Sequence, residues 1–242
     1  MFDKTLKYSY AAQKKERYRM LRIVVFFVGM YVLYNVFGAF FFSIWALENN
    51  TMRPGLAAGD RLVLRSFAFR SLLTGGRLTD GDPPFERGSI VLVDTEMRGR
   101  GKALWKIADG IVRFFTAQRV SLYGKEEHLY LKRLIGLPGD EISMTNFVFR
   151  VKPADSSYSL TEFEFSDRPY QPDIPRVPAL WDESLPFSGA MDRIVLGEDE
   201  CFVVSDDRSN TNDSRSWGPV SSGAIVGEAV FRFWPLTRIG RL

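Results

Sequence analysis

From Ile23 to Leu47 the chain carries no charged residue, reading Ile-Val-Val-Phe-Phe-Val-Gly-Met-Tyr-Val-Leu-Tyr-Asn-Val-Phe-Gly-Ala-Phe-Phe-Phe-Ser-Ile-Trp-Ala-Leu. As a helix it would be roughly 37 Å long, enough to cross a hydrocarbon core of about 30 Å with some tilt. Residues 1–22 before it are polar and basic, with Lys4, Lys7, Lys14, Lys15, Arg17, Arg19 and Arg22 set against Asp3 and Glu16. A positive flank on that side predicts a cytoplasmic N-terminus and places everything after residue 47 outside. Trp45 would sit at the outer interface, where amphipathic rings are favoured. The apolar run is too long for a cleaved leader, and no small-x-small site follows it. The expectation is therefore one transmembrane helix over 23–47 and a separate domain over 48–242.

That domain reads as mainly β. Short apolar runs alternate with turn signals: Arg61–Phe69, Gly88–Asp94, Tyr130–Ile135, Phe147–Val151, Cys201–Val204 and Ala224–Trp234, the last a strand pair or one long strand. Residues 71–88 form a Gly/Pro/Asp-rich loop, and 152–198 read as a small irregular β extension. Residues 96–128 look like an insertion with a basic entry at Arg98, Arg100, Lys102 and Lys106. Within it Lys102, Lys106, Asp109 and Arg113 recur at helical spacing among Trp and Phe, which predicts an amphipathic helix. It would pack on the domain's own sheet or lie in a membrane interface.

The single cysteine, Cys201, excludes an internal disulfide and lies in an apolar run, as a small core residue would. The single histidine, His128, has no Cys or acidic cluster at ligand spacing, so neither a metal site nor a histidine-based triad is expected. A net charge of +3 is mild and does not point to nucleic acid. No Gly-rich phosphate loop is present, and no cofactor is expected.

The stretch Tyr130-Leu-Lys-Arg-Leu-Ile-Gly-Leu-Pro-Gly-Asp140 is the most specific in the domain. Strand alternation puts Tyr130, Lys132 and Leu134 on one face and Leu131, Arg133 and Ile135 on the other. Pro138 and Gly139 suit the two central positions of a type II turn. Lys132 thus stands in an apolar strand. Either it is an ordinary solvated lysine, or burial strips its proton and makes it a general base.

Four segments in order resemble the bacterial type I signal peptidases. Thr51-Met-Arg-Pro-Gly-Leu56 with Gly59-Asp60 is similar to the family's nucleophile segment, Ser-Met-x-Pro-Thr-Leu with a Gly-Asp a few residues on. Arg87-Gly-Ser-Ile-Val-Leu-Val93 resembles the next strand motif, and Tyr130–Asp140 the general-base motif. Asp206-Asp-Arg-Ser-Asn-Thr-Asn-Asp-Ser-Arg-Ser-Trp-Gly218 resembles Gly-Asp-Asn-Arg-Asp-Asn-Ser-x-Asp-Ser-Arg-x-Trp-Gly.

The resemblance implies a signal-peptidase-like β barrel/coil domain with the β extension and helical insertion, preceded by the anchor. It implies a Ser–Lys-type dyad, with Thr51 at the nucleophile's place and Lys132 at the base's. Thr211 takes the place of a serine that hydrogen-bonds the lysine. Asn49 takes that of a serine completing the oxyanion hole with the backbone N–H of Thr51. Asp213 and Arg215 match a structural ion pair, and Tyr130 a tyrosine packed beside the site. The implied partners are exported preproteins, the lipid bilayer and the protein-export machinery. The implied location is the bacterial cytoplasmic membrane, with the catalytic domain on its outer face.

Threonine for serine at position 51 adds a Cβ methyl, and positions 49 and 211 differ as well. Two readings follow: an active variant whose changed positions keep the required groups, or a catalytically silent paralogue acting as a membrane-anchored binding module. A self-cleaving regulator would share the chemistry, but the apolar span argues against that class.

Overall fold

The computed structural model of the chain describes residues 10–40, 42–67, 85–95, 128–166, 169–176 and 189–242. The uncharged stretch divides into two elements. Helix α1 spans Tyr10–Phe40 and takes in part of the basic segment and the first part of the apolar run. Strand β1, Phe42–Ala46, takes the next part and pairs antiparallel with β2, Arg61–Ser66. The expected helix over 23–47 therefore ends at Phe40. Apolar composition cannot separate a lipid-facing helix from a sheet edge, and here the edge of β2 claims residues 42–46. Leu47 is buried, donating its N–H to the Asp60 carbonyl and accepting from the Gly59 N–H. Trp45 packs against the core of the domain rather than standing free at an interface. Among the described residues, no helix is long and apolar enough to cross a membrane.

The remaining strands follow the apolar runs: β3 Ile90–Asp94, β4 Leu129–Gly136, β5 Glu141–Thr145, β6 Val148–Lys152, β7 Leu160–Thr161, β8 Met191–Val195, β9 Glu200–Val204, β10 Val220–Ser221, β11 Ile225–Trp234 and β12 Gly240–Arg241. Among the described residues they make two sheets. The larger has the order β1-β2-β11-β3-β4-β9-β10, with β12 on β11. The smaller has the order β7-β6-β5-β8 and carries the described part of the 152–198 extension. The 96–128 insertion falls outside the described residues except for His128.

Alternation along the strands feeds two cores on opposite faces of the larger sheet. Leu62, Leu64, Ile90, Leu92 and Leu131 pack with Leu47, Met52 and Leu56. Val91, Val93, Leu134, Cys201 and Val203 pack together on the other face, with Trp217 against them. A third cluster joins the sheets: Ile135, Phe202 and Val204 meet Ile142, Phe149 and Val151. β4 contributes to all three, which is why its side chains from Leu131 onward are buried.

The turn after β4 has the expected form. Gly139 has φ +81°, and the Asp140 N–H closes the turn on the Leu137 carbonyl at 3.1 Å. Asp140 also accepts a bidentate pair from Arg87, both bonds at 2.8 Å, which ties the turn to the approach to β3. Between β9 and β10 the polar loop forms one short helix, α2, Ser214–Trp217, capped by the side chain of Asp213.

At Gly227 of β11 two backbones come close. It pairs with Ser66 on one side and Leu92 on the other, and a Cβ there would lie 2.9 Å from the Arg65 carbonyl oxygen. Gly227→Ala must push β2 and β11 apart, at a cost of about 1–3 kcal/mol. Gly240, where a Cβ meets nothing within 4 Å, is the control. Thermal unfolding of the detergent-solubilised chain should show a lower midpoint for Gly227→Ala and little change for Gly240→Ala. Equal midpoints would refute the close approach.

Candidate active site

β4 lies between β3 and β9. Its register sets Val91 opposite Lys132 on one side and Val204 opposite Arg133 on the other. One residue beyond Val204 in that antiparallel register is Ser205, which therefore comes opposite Lys132. The Lys132 side chain is fully buried, and its Nζ donates to Ser205 Oγ at 2.8 Å. The amine lies 5.8 Å from the Tyr130 ring centre and 5.6 Å from that of Trp217, and these two rings pack on each other. Among the described residues no carboxylate is hydrogen-bonded to it. Desolvation lowers its pKa; the negative Asp213 opposes this in part and the positive Arg215 adds to it. The result falls from the usual 10.5 to about 8.

Asp213 takes its hydrogen bonds from partners other than the amine. It receives Arg215 Nε at 2.9 Å and Nη2 at 2.8 Å, the Arg215 backbone N–H at 3.1 Å and the Ser205 backbone N–H at 2.8 Å. Burial works against its charge, but these donors, Arg215 foremost, outweigh burial and hold its pKa below the usual range. Arg215 Nη1 also donates to the Arg208 carbonyl at 2.9 Å. The Asp213–Arg215 pair thus braces the backbone that carries Ser205.

Thr211 was expected to hold the lysine, and here the structure differs. Its bonds run through its carbonyl, which accepts from the Asp213 N–H at 2.8 Å and from Ser216 Oγ at 2.6 Å. The hydroxyl on Lys132 is that of Ser205. The reason is register: Ser205 continues β9 directly beside β4, whereas Thr211 lies further along the loop.

Thr51 lies in the turn between β1 and β2, almost buried, with Met52 and Leu56 anchored in the core behind it. Its hydroxyl donates to Asn49 Oδ1 at 2.8 Å, and its N–H makes a long contact with the same oxygen at 3.4 Å. Two donors converge on one atom, so the carbonyl side of the Asn49 amide faces Thr51. The Thr51 carbonyl accepts from the Asp207 N–H at 3.0 Å. Lys132 is thus tied to residue 205 and Thr51 to residue 207. Two residues of chain span at most about 7 Å. The polar loop brings the two segments to one place, although no hydrogen bond joins Thr51 to Lys132 among the described residues.

The loop is itself held by buried charges. Arg133 donates to both carboxylate oxygens of Asp206 at 2.6 Å and to the Gly88 carbonyl at 2.6 Å, with its guanidinium 3.7 Å from the Tyr170 ring centre. Arg208 is paired with Glu162, both fully buried, and Tyr170 donates to the same carboxylate. Ser205, Asp206, Arg133, Glu162 and Tyr170 were not singled out from the sequence. Except for Tyr170 with Glu162, their hydrogen-bonded partners lie tens of residues away, and local patterning carries no signal for such pairs. Among the described residues, no group of three or more His, Cys, Asp or Glu side chains could hold a metal ion.

Linkage gives the lysine a signature in stability. Folded, its pKa is about 8; unfolded, it is 10.5. Between these values the unfolded chain holds one proton more, so stability rises with pH across that window and is lost as pH falls through it. The shift corresponds to about 3 kcal/mol. Lys132→Met lacks this term. The difference in unfolding free energy between wild type and variant, from urea denaturation in detergent, should change by about that amount from pH about 8 to about 10.5. A constant difference would mean that the amine is solvated.

Comparison with known proteins places this geometry. The family described as "Signal peptidase, peptidase S26" matches residues 19–234. The chain is 27% identical over 198 residues to a probable signal peptidase I-2 of Synechocystis, covering 81% of this chain and 65% of that one. It is 32% identical over 198 residues to signal peptidase I of Leptolyngbya laminosa, covering 81% and 70%. It is 30% identical over 176 residues to signal peptidase I of Bacillus caldolyticus, covering 72% and 84%. The alignment spans about two thirds of the length of the Synechocystis and Leptolyngbya relatives. With the family match running over most of the chain and through every segment of the site, the chain belongs to the signal peptidase family, peptidase S26.

Proposed function

We propose that this chain is a membrane endopeptidase that removes signal peptides from exported preproteins after small residues, with Thr51 as nucleophile and Lys132 as general base. The observation that carries the reading is Lys132: a fully buried amine, with no hydrogen-bonded carboxylate among the described residues, whose pKa is brought down to about 8. Such a group is largely charged in water but poised here to take a proton.

The steps follow from that. The Thr51 hydroxyl leaves Asn49, gives its proton to Lys132 Nζ and attacks the scissile carbonyl carbon. The oxyanion is held by the Thr51 backbone N–H, whose bond to Asn49 is long and easily exchanged, and by the Asn49 NH₂ after a half-turn of the amide. The Lys132 ammonium protonates the leaving amine, and an ester on Thr51 Oγ1 remains. Lys132, neutral again, activates the water that releases the product. The substrate lies extended along the site as an added strand, with small side chains in shallow apolar pockets.

The membrane reading rests on α1. Its described apolar side chains, from Ile23 to Leu33, are exposed without a polar face, and exposed Ile44, Trp234, Leu236 and Ile239 extend the apolar surface on the domain. A helix apolar all round is suited to lipid. α1 by itself does not reach the length and apolarity of a span, so the topology is carried by the sequence: a basic flank at Lys14, Lys15, Arg17, Arg19 and Arg22 ahead of the uncharged run from Ile23 puts the N-terminus in the cytoplasm and the domain at the outer face, where export delivers its substrates.

Purified chain in detergent should cleave a preprotein. Its kcat/KM should rise with pH through about 8, since the neutral amine is the active form. Lys132→Ala and Thr51→Ala should lose at least about a thousandfold. Thr51→Ser should keep or raise the rate, and the acyl group trapped from an ester substrate should map to Thr51. A fully active Thr51→Ala protein defeats the nucleophile assignment. Substrate binding without turnover, not rescued by Thr51→Ser, would make the chain a silent binding module.

A further inference from the structure

A lysine acting as a base must present a lone pair, and burial alone does not aim it. A neutral amine has two N–H groups and one lone pair, and the side chain's last torsion is free unless one N–H is engaged. Among the described residues the one acceptor on Lys132 is Ser205 Oγ, at 2.8 Å. Ser205 is itself immobilised. It continues β9 directly after Val204, is fully buried, and donates its backbone N–H to Asp213 Oδ2 at 2.8 Å. Asp213 is fixed in turn by Arg215. The groups around the amine are Tyr130 on its own strand, Val91 from β3, Ser205 from the end of β9, and Asp213, Arg215 and Trp217 from the loop and α2. Of these only Ser205 accepts a hydrogen bond from it.

We propose that Ser205 is the positioning residue of the general base, engaging one N–H of Lys132 so that the lone pair is left toward Thr51. Ser205 is not a second nucleophile. Its hydroxyl is sealed behind the lysine, whereas Thr51 sits in a turn with exposed Asn49, Asn50 and Arg53 as neighbours. The inference rests on the peptidase reading above for its consequence, but the contact itself can be measured without turnover.

The test uses the full chain in detergent micelles with ¹³C-labelled lysine. The Lys132 signal is assigned by its disappearance in Lys132→Met and titrated by NMR, and steady-state cleavage is measured alongside. Ser205→Ala removes the acceptor and leaves the backbone bond to Asp213 in place. A hydroxyl accepting from the ammonium favours the charged form, so its loss should lower the Lys132 midpoint by about half a unit to one unit. With the base no longer aimed, kcat should fall about tenfold to a hundredfold while KM stays within about twofold. Ser205→Thr, which keeps the hydroxyl, should restore both in large part. An unchanged midpoint and kcat in Ser205→Ala overturns the proposal. So does a fall in kcat accompanied by a lower melting temperature and an unmoved midpoint, which marks a structural role only. If wild type cleaves nothing yet the midpoint still moves, the contact stands and the peptidase reading falls.

Discussion

Two adjacent residues on β4 carry positive charge into the interior, and the fold treats them in opposite ways. Arg133 receives a bidentate carboxylate, a carbonyl and an aromatic face. Lys132 receives one hydroxyl and two rings at a distance. An arginine cannot lose its proton at any ordinary pH, so burying one obliges the structure to supply its counter-charge. A lysine can, and when the structure withholds the counter-charge its pKa falls instead. The carboxylate whose charge reaches Lys132 is Asp213, and Arg215 occupies both of its oxygens. Arg215 acts on the site at one remove: it takes the acid away from the base and adds its own positive charge nearby.

The same loop accounts for much else. Residues 205–215 turn a series of charged side chains inward, pairing Asp206 with Arg133 of β4 and Arg208 with Glu162 just after β7, and Asp213 with Arg215 within the segment itself. Backbone bonds from Asp206 and Arg208 to Asp173, and from Asp207 to Thr51, complete the stitching. Buried ion pairs seldom stabilise a fold more than apolar residues of the same size would. What they do provide here is geometry, since breaking any one leaves a buried charge uncompensated and the loop has one low-energy seat. The position of Ser205 against Lys132, and of residue 207 against Thr51, depends on that seat.

What could be read from the sequence follows the range of the interactions. The turn at Pro138-Gly139, the strand before it and the long β11 depend on neighbours within a few residues, and they have the expected form. The Asp213–Arg215 pair is likewise local. The end of α1 was misplaced because residues 42–46 are apolar for the sake of β2 and the core, and composition does not distinguish that from lipid. Ser205 was missed for a related reason. Its role is created by the pairing of β4 with β9, across more than seventy positions of chain, and no periodicity within either strand encodes which hydroxyl comes opposite the lysine. The motif pointed to Thr211 instead, a residue of suitable chemistry in the same loop but off the strand register.

Threonine at position 51 then has a physical setting. A β-branched side chain is restricted at χ1, and in this protein the Thr51 hydroxyl is directed to Asn49 rather than to Lys132. Serine in that place could swing its oxygen between the two with only hydrogen atoms moving in exchange. For threonine any such rotation must also move the methyl, and one of its two senses carries the methyl into the space the hydroxyl leaves. On the roles proposed above, Asn49 Oδ1 competes with Lys132 for the proton of Thr51. The rate of the proposed reaction then depends on how readily that one hydrogen bond gives way when substrate arrives.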